Sequence, residues 1–236
     1  MPNPTPFQKS EFNEKMSTQD QAGKFVIKGH SDRCSSIISS RDHILIGISP
    51  FNSRFSPNYV GQLLTWAHSE FKKVDILLPD EDHAALLLIA TTQHTGKSAR
   101  KVRKELNRHR RVINSTLDIL GDKAGQTQTF EFCDFIGHRG YQSLYSLAAN
   151  AYEESATFRA ACIDMSLHAI RGRQQGTSSG RCESTAEMQL EKVTPYVLAE
   201  LPFYLGTPDF IPVASSVFAY HRVWPIGQQL WEKNSP

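Results

Sequence analysis

No stretch of this 236-residue chain is apolar for long enough to cross a bilayer. The run AALLLIA at 84–90 falls well short of the roughly 20 residues that a spanning helix needs. The opening segment, MPNPTPFQKSEFNEKMSTQDQAG, lacks the apolar centre of a secretory signal, so neither export nor a membrane partner is expected. Cysteine is scarce. Cys34, Cys133, Cys162 and Cys182 are scattered with no CxxC pair, which argues against a metal centre or a disulfide framework and for reduced cysteines in a core. A cytoplasmic location follows by elimination. Net charge is only +2, so the chain is not globally basic. There is no internal repeat.

What is present is enough apolar sequence, 39% of residues, for one sizeable core. Residues 24–225 read as a single domain between a loose tail, 1–23, and a short carboxy-terminal tail, 226–236. KFVIKG at 24–29 is a candidate short strand. HILIGIS at 43–49 is β-branched and apolar, as in a parallel strand covered on both faces. Ser56 and Pro57 supply a cap and a first-turn proline for a helix whose Val60, Leu63, Leu64 and Ala67 repeat at helical spacing. VDILLP at 74–79 completes a strand–helix–strand unit. Helices are expected over 80–90 and 98–120, a strand over 127–135, and one long helix over 141–171. After the loop GRQQGTSSGR, the capping box STAE at 184–187 opens a helix that Pro202 should end. A last strand is expected within 210–221. This alternation means an α/β fold with a mainly parallel sheet and helices on both faces. In such folds the site lies beyond the carboxyl ends of the strands, where strand order reverses.

Within that frame, LIGISPFNSRFS at 45–56 ends an apolar strand on Ser49, with Asn52 and Ser53 just behind it. A serine there is either a turn former or a nucleophile. No G-x-S-x-G elbow surrounds it, and no histidine and acid stand out as triad partners. The stretch GKSARKVRKELNRHRR at 96–111 carries Lys97, Arg100, Lys101, Arg103, Lys104, Arg108, Arg110 and Arg111 against one acid, Glu105. Such a helix is a solvated face or a phosphate-backbone contact, and the excess of cations favours the second. It shows no aromatic pattern for reading bases, so shape and phosphate are what it would recognise. Tyr196 and Glu200 share one helix face, near the turn that Pro202 should close, where a phenol and a carboxylate can hold a small cation such as an α-ammonium. SSVFAYH at 215–221 presents Tyr220 and His221 at a strand end.

In this order and spacing, over roughly residues 41–225, these stretches and Trp66 resemble the cyclodipeptide synthases. Asn52, Tyr220 and His221 are similar to the Asn-Tyr-His subfamily. The resemblance implies a Rossmann-like domain akin to the catalytic domain of class I tyrosyl- and tryptophanyl-tRNA synthetases, with aminoacyl-tRNAs as substrates. It implies that Ser49 takes the acyl group of a first aminoacyl-tRNA, that a second extends it to a dipeptidyl-enzyme, and that ring closure releases a 2,5-diketopiperazine. Tyr196 and Glu200 would hold the aminoacyl ammonium, Tyr220 would relay a proton, and Asn52, Tyr141 and His221 would support the site. The first aminoacyl pocket would be lined by Leu45, Gly47, Leu77, Phe132, Phe203 and Phe218, suiting a bulky or aromatic side chain. His168, Ala169, Arg222 and Trp224 would lie near the second, where Arg222 suggests a polar or acidic residue. The basic helix would dock tRNA. An aminoacyl ester is already activated, so no cofactor, ATP or metal is expected; neither HIGH nor KMSKS occurs. Downstream tailoring enzymes are natural partners. A non-catalytic RNA-binding protein and a serine acyltransferase that uses no RNA are the alternatives.

Overall fold

The computed structural model describes residues 25–27, 29, 32–89, 98–174 and 186–219. The expected domain boundaries, Ser184 and Thr185 of the capping box and residues 175–181 of the loop before it lie outside these residues, and 172–174, expected in that loop, are helical. Among the described residues four strands, β1 (His43–Gly47), β2 (Lys73–Leu78), β3 (Thr129–Glu131) and β4 (Val217–Ala219), form one parallel sheet in the order β3-β2-β1-β4. The helices are α1 (Asp32–Ser40), α2 (Pro57–Glu70), α3 (Glu81–Ile89), α4 (Ser98–Leu120), α5 (Arg139–Glu154), α6 (Ala156–Gln174) and α7 (Ala186–Gly206). The chain runs outward from β1 to β3 and then returns to β4 on the other side of β1. Strand order therefore reverses at β1.

Strand alternation divides the core between the two faces. Ile44, Ile46, Val74, Ile76 and Leu78 bury against Val60, Leu64 and Ala67 of α2 and Ile113 of α4. Leu45 and Leu77 join the opposite cluster, with Phe158, Cys162 and Met165 of α6 and Val193, Tyr196 and Phe203 of α7. The sheet is thus sandwiched between helices, as the strand–helix alternation indicates, in the Rossmann-like arrangement that the family resemblance implies. Of the cysteines, Cys162 is buried, whereas Cys34 is half-buried and Cys133 exposed, so the core reading holds for Cys162 and fails for Cys133.

Several element boundaries differ from sequence expectation for physical reasons. Residues 25–27 form no strand; Phe25 instead packs on Tyr59 and Trp66 of α2, 5.5 Å from each ring, burying its apolar surface outside the sheet. The strand expected over 127–135 stops at Glu131, where reciprocal Glu131–Asp134 capping turns the chain into a 3₁₀ helix. The long helix breaks at Ser155, which caps both neighbours. Its N–H donates to the Ala151 carbonyl, and its hydroxyl accepts the Phe158 N–H. Helix α7 runs through Pro202 to Gly206, because buried Leu201 and Phe203 on either side hold the turn against the missing amide donor. Within the described part of 210–221, only Val217–Ala219 is strand. Helix α1 was not expected at all.

At the amino ends of the strands one carboxylate ties the sheet together. Asp75 of β2 lies 3.2 Å from His43 Nε2 of β1 and 3.4 Å from Lys73 Nζ, and it accepts the Gln128 N–H just before β3 at 2.9 Å. His43 Nδ1 lies 2.8 Å from the hydroxyl of Ser216, just before β4. The side chains of His43 and Asp75 are fully buried. Burial pushes the Asp75 carboxyl up. The bonds from His43 and Gln128 and the Lys73 charge outweigh it, leaving the group below its ordinary value. Its folded-state pKa is depressed, so its stabilisation is present above the unfolded carboxylate value, about 4, and is lost as pH falls below that. We expect Asp75→Ala to cost about 3–5 kcal/mol by breaking a buried pair. In thermal melts between pH 7 and pH 3, the variant should lose less stability on acidification than wild type. Equal acid slopes would count against this role.

Candidate active site

Ser49 stands two residues beyond β1, at the reversal of strand order. Ile48 extends the ladder, its N–H donating to the Leu77 carbonyl at 3.0 Å. Ile44, Ile46 and Ile48 all belong to the α2 side, so the alternation carries Ser49 to the face of Leu45, against which α7 packs. The Ser49 side is closed, at 5% exposure. Asn52 shapes the turn that follows. Its Oδ1 accepts the Arg54 N–H at 3.1 Å and its carbonyl accepts the Phe55 N–H at 3.0 Å. Ser56 then caps α2, accepting the Tyr59 N–H at 3.2 Å.

Tyr196 and Glu200 are buried, at 2% and 3% exposure. They lie inside α7 and not in its last turn, because the helix continues past Pro202. The helix dipole therefore adds little for a cation at this position. The Tyr141 hydroxyl donates to the Ala199 carbonyl at 2.9 Å, anchoring α5 to the α7 backbone beside Glu200. Burial, with the nearby Tyr145 and Asp80, pushes the Tyr141 phenol well above its ordinary value, so it stays protonated.

The residues expected to line the first pocket come together. Leu45, Leu77, Phe132 and Phe203 are buried in one cluster with Phe218 packed against it. Phe132 sits 5.5 Å from Phe203 and 5.6 Å from Tyr196, and Phe203 sits 6.2 Å from Phe218, ring centre to ring centre. Gly47 is buried opposite Leu77 in the strand register. Of the second-pocket residues, Ala169 packs on the same cluster, while His168 is about half exposed and lies 3.7 Å from Asp164. Tyr220, His221, Arg222 and Trp224 lie outside the described residues.

The basic helix is less bare than its composition indicates. Arg103 pairs with Glu81 of α3, Arg110 pairs with Glu131, and Arg108 chelates Glu105 at 2.7 and 3.0 Å. The single-acid count thus fails in three dimensions, since α3 and the end of β3 bring two more carboxylates. Among the described residues Arg100, Lys101 and Lys104 form no ion pair, and Arg111 bonds the Asn107 carbonyl; all four are exposed. Lys97 lies outside the described residues. No cluster of His, Cys, Asp or Glu suited to a metal occurs among the described residues.

Sequence reasoning missed the Asp80–His83 pair at the carboxyl end of β2. Asp80 caps α3 through the His83 N–H at 2.9 Å and holds the His83 ring at 2.8 Å, and that ring lies edge-on to Phe132 at 5.2 Å. Pro79-Asp80 closing an apolar strand before a helix was the available signal.

Residues 25–236 match the family model described as cyclodipeptide synthase. The chain belongs to the cyclodipeptide synthase family. It is accordingly an enzyme. This synthase is 41% identical over 218 residues to the cyclo(L-leucyl-L-leucyl) synthase of Photorhabdus laumondii, covering 92% of each chain. It is also 41% identical to the protein of the same name from Bacillus subtilis, covering 91% of this chain and 85% of that one. A cyclodipeptide synthase structure from Bacillus thermoamylovorans superposes with a TM-score of 0.79 at 37% identity, covering 87% of each chain. A Mycobacterium tuberculosis protein, whose structure was described as demonstrating that cyclodipeptide synthetases are related to type I tRNA synthetases, superposes at 0.72 with 25% identity over 87% of this synthase and 84% of that chain.

Proposed function

We propose that this synthase condenses two aminoacyl-tRNAs into a cyclic dipeptide through an aminoacyl-Ser49 intermediate, in the manner of the Asn-Tyr-His subfamily. The supporting observation is the placement of Ser49, buried at the switch point and directed by strand alternation to the face that carries Tyr196 and Glu200. The Ser49 hydroxyl attacks the ester carbonyl of the first aminoacyl-tRNA, the ribose–acyl bond breaks, and the proton leaves with the tRNA hydroxyl. The amine of the Ser49-bound residue then attacks the second ester, releasing the second tRNA. Attack in the opposite sense would leave the dipeptide on tRNA and not on the enzyme. Finally the new terminal amine attacks the Ser49 ester, closing the ring and restoring the hydroxyl, with Tyr220 relaying the proton. Both substrates arrive as activated esters, so the reading calls for no ATP and no metal. Ring closure is intramolecular, and well-oriented cases reach effective molarities of about 10⁵ M or more. Charged tRNA as substrate places the reaction in the cytoplasm, and the cyclic product suits downstream tailoring enzymes.

The aliphatic and aromatic cluster around Phe132 and Phe203 suits leucine or a larger apolar side chain as first residue. For the second residue the relatives' products favour leucine. Arg222 favours an acidic or polar one, a reading weakened because His168 already faces Asp164. The alternatives, a non-catalytic RNA-binding protein and an acyltransferase without RNA, are disfavoured by family membership.

The test is mass spectrometry of products formed by purified protein from aminoacyl-tRNA pairs, with leucine and glutamate compared as second partner. A diketopiperazine containing leucine is expected, and RNase treatment should abolish it. Reversing Arg100, Lys101 and Lys104 to glutamate should raise KM for aminoacyl-tRNA at least about tenfold and flatten its salt dependence. These three are chosen because Arg103 is engaged by Glu81. An unchanged KM would remove α4 as the docking surface.

A further inference from the structure

The acid in the middle of the basic helix faces inward. Glu105 Oε1 accepts the backbone N–H of Phe51 at 3.2 Å, two residues after Ser49. Phe51 holds a left-handed backbone, φ 61°, which a residue with a side chain adopts only when its surroundings impose it. The same carboxylate is chelated by Arg108, whose Nη1 reaches the Phe55 carbonyl at 3.3 Å. Fully buried His109 places Nε2 3.3 Å from the same Oε1, beside Arg108 Nη2. Both ends of the turn that follows Ser49 are thereby bonded to α4. Burial raises the Glu105 carboxyl, but the bonds and charges of His109 and Arg108 prevail and hold it far below the carboxylate range, so it is ionised at working pH. Arg108, counted by sequence among the tRNA contacts, is spent on this clasp.

We infer that Glu105 is a positioning residue, which clasps the Ser49–Phe55 turn to the tRNA-docking helix and sets the attack geometry of the Ser49 hydroxyl. The inference rests on the proposed role of Ser49. The two faces of α4 then have opposite requirements. An acid among cations opposes docking of a polyanion, so removing it should leave tRNA affinity unchanged or tighter. The same change releases the turn, and misplacement of a nucleophile by about an ångström can cost on the order of a hundredfold in rate.

The test compares wild type, Glu105→Gln and Glu105→Ala by single-turnover acylation with labelled leucyl-tRNA at saturating concentration, alongside tRNA binding. Acylation is expected to fall about tenfold in Glu105→Gln, which keeps one acceptor oxygen, and about a hundredfold in Glu105→Ala, with Kd for tRNA no weaker. Rates within twofold of wild type, or a loss confined to tRNA affinity, would overturn the inference. Hydrogen exchange of residues 50–55 provides a readout independent of catalysis and of whether Glu105→Ala folds. Glu105→Gln should exchange there several times faster while β1 stays protected, and unchanged exchange rejects the clasp. If wild type forms no acyl-Ser49, the functional reading fails, and exchange alone decides the clasp.

Discussion

Ser49→Ala is expected to lower cyclic dipeptide formation by at least about a thousandfold, because in the proposed mechanism it removes the atom that would carry the acyl group. The change should otherwise be quiet. The side chain is small, β1 is held by its backbone ladder, and the outer face of α4 lies on another element. Kd for tRNA should stay within about twofold, and the melting temperature within about 4 °C, as expected for a change of about 1 kcal/mol in a chain of this size. Single-turnover product formation, filter binding and a thermal melt together check the claim. Turnover within tenfold of wild type would remove Ser49 as nucleophile, whatever the binding result. A labelled aminoacyl-enzyme trapped from wild type, absent from the variant, is the direct complement.

Glu200→Gln tests the second half of the site by separating activity from stability. The side chain is almost fully buried within α7. Glutamine keeps the volume of the side chain and one acceptor oxygen, so the packing of α7 should tolerate the change. Binding an α-ammonium, by contrast, needs the charge. A hydrogen bond to a charged group contributes about 1.5–3 kcal/mol, which predicts a loss of about 10–100-fold in kcat/KM. The expected result is lower activity at a melting temperature within about 4 °C of wild type. Activity within threefold of wild type would end the ammonium-binding role. Activity that falls in step with the melting temperature would show that Glu200 matters for folding and not for substrate. Because Tyr141 is bonded to the carbonyl beside Glu200, Tyr141→Phe should show a milder loss of the same kind.

Much of this site could be read from the chain. The apolar run into Ser49, the Ser56-Pro57 start of α2, the limits of α4 and the shared face of Tyr196 and Glu200 all follow from local chemistry: side-chain periodicity, capping and the fixed φ of proline. The grouping of Leu45, Leu77, Phe132, Phe203 and Phe218 came from family resemblance, and the structure brings these residues together. Two of the errors share one origin. Pro202 was expected to stop a helix, and Glu105 to be the sole counter-charge of the basic helix. Both inferences weighed a residue only against its neighbours in sequence.

The sequence by itself determined the alternation of strands and helices, the residue at the tip of the first core strand and the chemistry available there, because propensity and periodicity act over a few residues. Only the tertiary structure decided which cations of α4 are engaged by carboxylates from other elements, that α7 persists past its proline, and that buried Asp75 links β1, β2 and the start of β3, with His43 extending the link to β4. These depend on groups far apart in the chain, such as Glu81 with Arg103 or Ser216 with His43, whose contacts outweigh local preference only once the fold has placed them side by side.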